Sequence, residues 1–285
     1  MRILTWNVNF RRAESVEAIR GLDADIVMLQ EVKHGIADGI AAALRSTGLE
    51  NSCYSGLASD DRKRYGNITA SRWPVSPAKR GWAPRMPWPQ LSLRATVHTP
   101  SGDIDVVNVH IPNGSGNGWS KVESLEVLGD FLERSPGVAR ILAGDFNEPQ
   151  RVLPSGVLVS WGQVIGPGGS VRLGRRNSGG AGPGRFRDRQ GREDDLRRWD
   201  RAVRRIFKGA TEHGLRHVRE MLGLGAGSIP VTHVVHGCPR YFDHLFLSRH
   251  FRATAYCCVD SVRENLTHSD HSAVYADVEI DRETA

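Results

Sequence analysis

No run of about eighteen apolar residues occurs anywhere in the sequence, which excludes a transmembrane helix of ordinary length. The N-terminus, Met1-Arg2-Ile3-Leu4-Thr5-Trp6-Asn7, passes straight into a strand-like segment with no basic region ahead of a long apolar stretch. No signal peptide is read there, and a cytoplasmic location without membrane association is expected. Cysteine is scarce: Cys53, Cys238, Cys257 and Cys258 are the only four. None has zinc-ligand spacing, and Cys257 and Cys258, as strand neighbours, point to opposite faces. Buried free thiols are expected, in keeping with a reducing compartment. There is no internal repeat and no linker-like stretch that splits the chain, so residues 1–285 are expected to form one domain. With 39% hydrophobic and 25% charged residues, that domain can bury an ordinary globular core.

Charge is unevenly placed. Between Arg175 and Lys208 there are twelve Arg or Lys and five Asp or Glu, a net of +7 against +6 for the whole chain. The remainder is therefore nearly neutral at about −1, and attraction to a polyanion would be concentrated in one segment. Gly162–Gly191 is punctuated by Gly, Pro and Arg, which cannot build a core, and Glu193–Lys208 reads as a helix with acids early and bases late. A Gly/Arg-rich insertion at about 162–208 is expected, serving either as a solvated loop or as a substrate-binding arm.

What the chain does have is a series of apolar runs that end in polar clusters. Ile141-Leu142-Ala143-Gly144-Asp145-Phe146-Asn147 is the clearest. On a strand, Asp145 and Asn147 share one side while Phe146 faces the core. Gly, Asp and Asn are also turn residues, so this stretch alone is compatible with a simple turn. The same layout recurs at Thr5-Trp6-Asn7, Leu29-Gln30-Glu31, Val107-Asn108-Val109-His110 and Phe242-Asp243-His244. Thr267-His268-Ser269-Asp270-His271-Ser272 carries a polar cluster at the start of a strand. Helical periodicity appears at about Ile36–Arg45 and at Ser120–Glu133, where Val122, Leu125, Leu128, Phe131 and Leu132 recur on one face. Strands separated by helices point to an α/β domain.

In that order the motifs resemble the endonuclease/exonuclease/phosphatase superfamily, the DNase I-like metal-dependent phosphoesterases. The matching residues are Trp6-Asn7, Gln30-Glu31-Val32, Tyr65-Gly66-Asn67-Ile68-Thr69-Ala70-Ser71-Arg72-Trp73-Pro74, Asn108-Val109-His110-Ile111-Pro112-Asn113, Gly144-Asp145-Phe146-Asn147, Phe242-Asp243-His244 and Ser269-Asp270-His271. The resemblance implies a four-layer sandwich, two mixed β-sheets flanked by helices, with the active site at one end. It implies Glu31 as a metal-binding carboxylate with Asn7 beside it, and Asp270 as a further metal carboxylate. Asp145 takes the role of orienting or deprotonating the attacking water, with Asn147 as its companion. Asp243 and His271 form an Asp-His pair at the phosphate, while His110, Asn113, Asn7 and Asn67 match positions at or near it. Asn9 stands where repair-type members often have a second acidic residue, and His110 where apurinic-site endonucleases have tyrosine.

The chemistry is consistent with those roles. A phosphodiester repels anionic nucleophiles, so hydrolysis needs positive charge at phosphorus and an activated water. Mg²⁺, or Mn²⁺, prefers carboxylate oxygens and acts as a Lewis acid on the phosphoryl oxygen. A monomeric metal-dependent nuclease with nucleic acid as its substrate is expected. Trp82, Trp88 and Trp119, in loops, could stack on bases or anchor the core. The alternatives are a phosphatase or phosphodiesterase acting on a small-molecule or lipid phosphoester, and a catalytically inactive member that binds nucleic acid.

Overall fold

The computed structural model describes residues 1–56, 65–79, 82–83, 85–113, 119–174, 193–225, 229–264 and 268–281, with 193–195 described by backbone alone. Apolar residues on consecutive rather than alternate positions mark the central strands, because both faces of each sheet are covered. The chain first lays down β1 (Arg2–Asn7), β2 (Ile26–Lys33), β3 (Asn51–Tyr54) and β4 (Tyr65–Ser71). It then crosses to a second sheet with β5 (Val75–Pro77), β6 (Ser92–Thr99), β7 (Gly102–His110), β8 (Arg140–Asp145), β9 (Leu215–His217) and β10 (Asp243–Ser248). Finally β11 (Phe251–Val259) and β12 (Ala273–Ile280) return to the first. The two six-stranded sheets run in the orders β11-β12-β1-β2-β4-β3 and β9-β10-β8-β7-β6-β5. Each sheet is mixed: β1 pairs in parallel with β2, and β7 with β8, while the other neighbours are antiparallel.

Between the sheets lie Ile3, Ile26, Met28, Val106, Ile141, Ala143, Leu245 and Val278, all 0–1% exposed. The opposite face of the first sheet, with Leu4, Trp6, Val27 and Leu29, is covered by Ile40 and Leu44 of helix α1 (Ala37–Arg45). The opposite face of the second sheet is covered by α2 (Ser120–Arg134) and α3 (Glu193–Phe207). Val122, Leu125, Leu128 and Leu132 form the apolar stripe of α2, and Trp199, Val203 and Ile206 that of α3. The result is the expected α/β/β/α sandwich.

Two details bear on the charge pattern. Arg198, Arg204 and Arg205 of α3 are paired, with Glu126, Asp200, and both Asp130 and Glu133 respectively. Much of the described half of the basic segment therefore neutralises α2 and its own helix. Residues 175–192, the densest Gly/Arg stretch, lie outside the described residues. No described helix is long and apolar enough to cross a membrane.

Candidate active site

Strand register brings the polar clusters together. His110 is in register with Asp145, and Asp145 with Asp243, so three strand ends of the second sheet present side chains in a row. In the first sheet Asn7 aligns with Gln30, one residue before Glu31. The two sets meet across the sandwich, where the Asn7 amide donates to Asp145 Oδ2 at 2.9 Å. Beneath them a buried network joins the sheets: Gln30 Nε2 donates to Thr5 Oγ1 at 3.1 Å and to Asn108 Oδ1 at 2.8 Å. Asn108 in turn donates to the Ile68 carbonyl.

Local backbone geometry aims the carboxylates. The β2–β4 pairing breaks between Leu29 and Val32, and Glu31 sits in that bulge at φ 57°, a left-handed conformation costly for glutamate. Gly144 lies at φ 144°, and a Cβ there would stand 1.8 Å from the Val109 carbonyl oxygen. Only glycine lets β8 come so close to β7 just before Asp145. Asn147 is also left-handed, at φ 50°, which folds its backbone N–H onto Asp145 Oδ1 at 2.8 Å and its amide to 3.2 Å from Oδ2. Phe146, fully buried, anchors this turn against Phe207 and Phe246.

The third contribution comes from the segment leading into the last strand. Ser269 Oγ donates to the Asn7 carbonyl at 2.6 Å and receives the His271 N–H at 3.0 Å, while Trp6 Nε1 donates to the His271 carbonyl at 3.0 Å. So fixed, His271 Nδ1 lies 2.9 Å from Asp243 Oδ2, and its Nε2 is 3.8 Å from Asp145 Oδ2. His110 Nε2 is 3.5 Å from Glu31 and 3.7 Å from Asp145. A polar cavity of about 200 Å³ results, lined by Glu31, His110, Asn113, Asp145, Asn147, Asp270 and His271 among others.

Electrostatics set the protonation states. Burial on its own would lower the His271 pKa, but Asp243 and Asp145 outweigh it and raise the value to about 10. His271 is therefore an imidazolium at neutral pH. Burial first, then the Asp145 charge, raises Glu31 to about 7. Asp270 adds to that repulsion, and one of its oxygens is buried without a hydrogen-bond partner among the described residues. A buried cluster in which Asp145 and Asp270 raise Glu31, with a spare Asp270 oxygen, suits a hard divalent cation that Glu31 and Asp270 could hold. Asp145, Asp243 and His271 also lie close enough to share an ion, as do His233, Asp270 and His271.

The structure thus gathers Glu31, His110, Asn113, Asp145, Asn147, Asp243, Asp270 and His271 about one end of the sandwich. Asn7 lies just beneath, its Oδ1 accepting from the Asn9 N–H at 2.9 Å. Asn67 is not brought to the cavity: it is fully buried, and its amide donates to the carbonyls of Leu91 and Asn108 at 2.9 and 3.1 Å. Of the loop tryptophans, Trp82 packs edge-on to Phe131 and Trp119 lies against Trp199.

Two features escape a reading of the sequence. His233 stacks on His271 with ring centroids 4.2 Å apart, across an isolated bridge between the two residues. Lys121, fully buried on α2, reaches the Asn147 carbonyl at 2.6 Å and Glu148 at 3.3 Å, while Trp199 Nε1 donates to Glu148 at 2.7 Å. The only linear signal for that pair is a lysine on the apolar side of a helix.

The model for the "Endonuclease/Exonuclease/phosphatase family" matches residues 4–271. A comparison with curated protein sequences finds no match. Among solved structures, an AP endonuclease from Archaeoglobus fulgidus is 18% identical, with a TM-score of 0.65 over 98% of this chain and 100% of that one. A 3'-5' exonuclease from Neisseria meningitidis is 20% identical, with a TM-score of 0.61 over 98% and 100%. D. rerio TDP2 complexed with a single-strand DNA product is 17% identical, with a TM-score of 0.59 over 98% of each chain. Matched through its family model over nearly its whole length, and sharing the sandwich of these proteins, the chain belongs to the endonuclease/exonuclease/phosphatase family of hydrolases.

Proposed function

We propose that the protein is a Mg²⁺- or Mn²⁺-dependent phosphodiesterase that hydrolyses nucleic acid through attack by an activated water. The observation that carries this reading is Asp145. It is a buried carboxylate held on both oxygens by Asn7 and Asn147, and it faces the His271 imidazolium and Glu31 across a polar cavity. Glu31 and Asp270 would hold the cation, which would supply Lewis-acid polarisation of the phosphoryl oxygen. Asp145 orients the water and takes its proton as the new oxygen–phosphorus bond forms and the bond from phosphorus to the leaving oxygen breaks, that oxygen departing as an alkoxide which takes a proton from solvent. His271, kept charged by Asp243, donates to a phosphoryl oxygen as negative charge develops. His110 and Asn113 line the phosphate side of the cavity, and Asn147 keeps Asp145 from turning away.

Nucleic acid as the substrate draws support from the structural neighbours, one an AP endonuclease and another complexed with single-strand DNA. The ion pairs between α3 and α2 favour a second reading, a phosphoesterase acting on a small molecule, because they reduce the charge left to hold a polyanion. One assay separates the two: wild type and Asp145→Asn on single-stranded, duplex and abasic DNA and on RNA, with Mg²⁺ or EDTA. Metal-dependent cleavage lowered at least about a hundredfold by Asp145→Asn is expected. No cleavage of any polynucleotide, with turnover of a small phosphoester, would establish the second reading instead.

A further inference from the structure

His271 is held at one edge by Asp243, yet the two residues come from different sheets. Asp243 opens β10 of the second sheet, and His271 stands in the segment leading into β12 of the first, so no ladder between those strands sets their distance. Thr232-His233 bridges them. Thr232 is fully buried, and its Oγ1 accepts from the backbone N–H of Phe242 at 2.9 Å and of Asp243 at 3.2 Å. Its carbonyl accepts from the N–H of Ser272, one residue past His271, at 2.8 Å. His233 opens a hairpin of His233–Val235 and Cys238–Arg240. His236 and Gly237 close it at φ 47° and 75°, the left-handed pair that a tight two-residue turn requires. An isolated antiparallel bridge then sets His233 opposite His271.

The His233 ring is fixed as firmly as its backbone. Nδ1 lies 2.9 Å from the Asp270 carbonyl, which can only accept, so Nδ1 carries the proton. Phe242 flanks the ring, with centroids 6.0 Å apart and planes at 33°. The ring lies flat on His271, with centroids 4.2 Å apart and planes 13° from parallel. The side chain is 17% exposed and lines the acidic cavity, but none of the roles assigned above uses it.

A hydrogen bond at Nδ1 restrains one edge of the His271 ring and leaves its plane some freedom. The N–H···O angle can close from linear to about 150° at little cost, and the ring can tilt by that margin. Such a tilt swings Nε2, the donor to the phosphoryl oxygen, from its place 3.8 Å from Asp145 Oδ2. A flat ring packed face to face removes the freedom, because tilting would drive one ring into the other.

We infer that His233 is a positioning residue: its ring fixes the plane of His271 and so aims Nε2 at the phosphoryl oxygen. The inference rests on the reading of His271 as the donor to that oxygen. The face of the His233 ring acts on His271, while its Nδ1–H keeps the ring in place.

Three substitutions test this. His233→Ala removes the ring, and His233→Asn keeps a donor for the Asp270 carbonyl without a face. His233→Phe keeps a flat face, whose π electrons also attract an imidazolium. Circular dichroism and thermal unfolding establish that each variant is folded. In EDTA, proton NMR follows the His271 Nδ1–H bonded to Asp243, assigned by its loss in His271→Gln. With Mg²⁺, kcat and KM are measured on single-stranded DNA. The Nδ1–H signal should be sharp in wild type and His233→Phe, and broadened beyond detection in His233→Ala and His233→Asn as water reaches the loosened ring. In those two variants kcat should fall at least about tenfold with KM changed less than about twofold, and His233→Phe should recover most of the loss. A wild type without the signal overturns the inference, as does a signal or a wild-type kcat that persists in His233→Ala. Equal losses in all three variants also overturn it, since the His233 nitrogens would then be the groups that matter. If wild type cleaves no DNA, the nuclease reading falls and the NMR signal decides alone: lost in His233→Ala and His233→Asn but kept in His233→Phe, it upholds the positioning role. Cleavage that no His233 variant alters leaves the nuclease reading intact and removes that role.

Discussion

Replacing Glu31 by Gln should make the metal-free protein more stable, and by an amount that depends on pH. Glu31 titrates at about 7 in the folded protein against an ordinary 4.5, because burial and the Asp145 charge oppose its ionisation. A folded-state value above the unfolded one means that the folded protein holds the extra proton between those limits. Stability is thus fully present below pH 4.5 and is lost as pH rises through about 7. At pH 8 almost the whole difference is felt, about 3 kcal/mol at 1.36 kcal/mol per pH unit. At pH 5 it is under about 1 kcal/mol by the same linkage. Only 17% of the side chain is exposed, so solvent screens this little. Glutamine keeps the shape and an acceptor oxygen but never ionises. In EDTA, urea unfolding should therefore show Glu31→Gln more stable than wild type by about 3 kcal/mol at pH 8, with the advantage nearly gone at pH 5. Mg²⁺ should narrow the gap at pH 8 by stabilising wild type more than the variant, which keeps Asp270 but lacks the Glu31 carboxylate. A variant no more stable than wild type at pH 8 in EDTA, or a difference that does not change with pH, would refute the view of Glu31 as a strained metal carboxylate.

The other expectations concern the rest of the site. His271, raised to about 10 despite its burial by Asp243 and Asp145, should keep its proton across the neutral range, placing the alkaline limb of the pH–rate profile near 10. Asp243→Asn removes the first of those charges and should move that limb towards neutrality; an unmoved limb counts against imidazolium catalysis. Gly144→Ala, whose Cβ would meet the Val109 carbonyl at 1.8 Å, should destabilise the fold by about 3 kcal/mol in chemical denaturation. A loss under about 0.5 kcal/mol would show that β7 and β8 can separate there. Lys121→Met strands Glu148 in the core and should cost about 3–5 kcal/mol, whereas Lys121→Met with Glu148→Gln should recover most of that; equal losses would mean that the pair does not interact.

The basic segment shows what packing adds to composition. Arg198 and Arg205 lie on α3 against Glu126, Asp130 and Glu133 of α2, whereas residues 175–192, with +5 of the segment's +7, lie outside the described residues. Those acids are far away in sequence, so only the packing of two helices on one sheet reveals these pairings. Asn67 illustrates the same limit. Within a motif it reads as a phosphate contact, but in the fold its amide ties β4 to the carbonyls of Leu91 and Asn108.

By itself the sequence determined the order of strands and the ends at which chemistry is carried. Side-chain alternation and glycine's conformational freedom are local properties, and Gly144-Asp145-Phe146-Asn147 displays both. It also pointed to the family, because the polar clusters keep their order along the chain. Tertiary structure decided what those residues became. Register placed His110, Asp145 and Asp243 side by side, the bulge at Glu31 turned its carboxylate inward, and two sheets meeting at Asn7 and Asp145 closed the cavity. The stacking of His233 on His271 and the buried Lys121–Glu148 pair have no counterpart in any local pattern. Protonation followed from the same source: charge states depend on burial and neighbours within a few ångströms, and those are set by contacts between residues far apart in the chain.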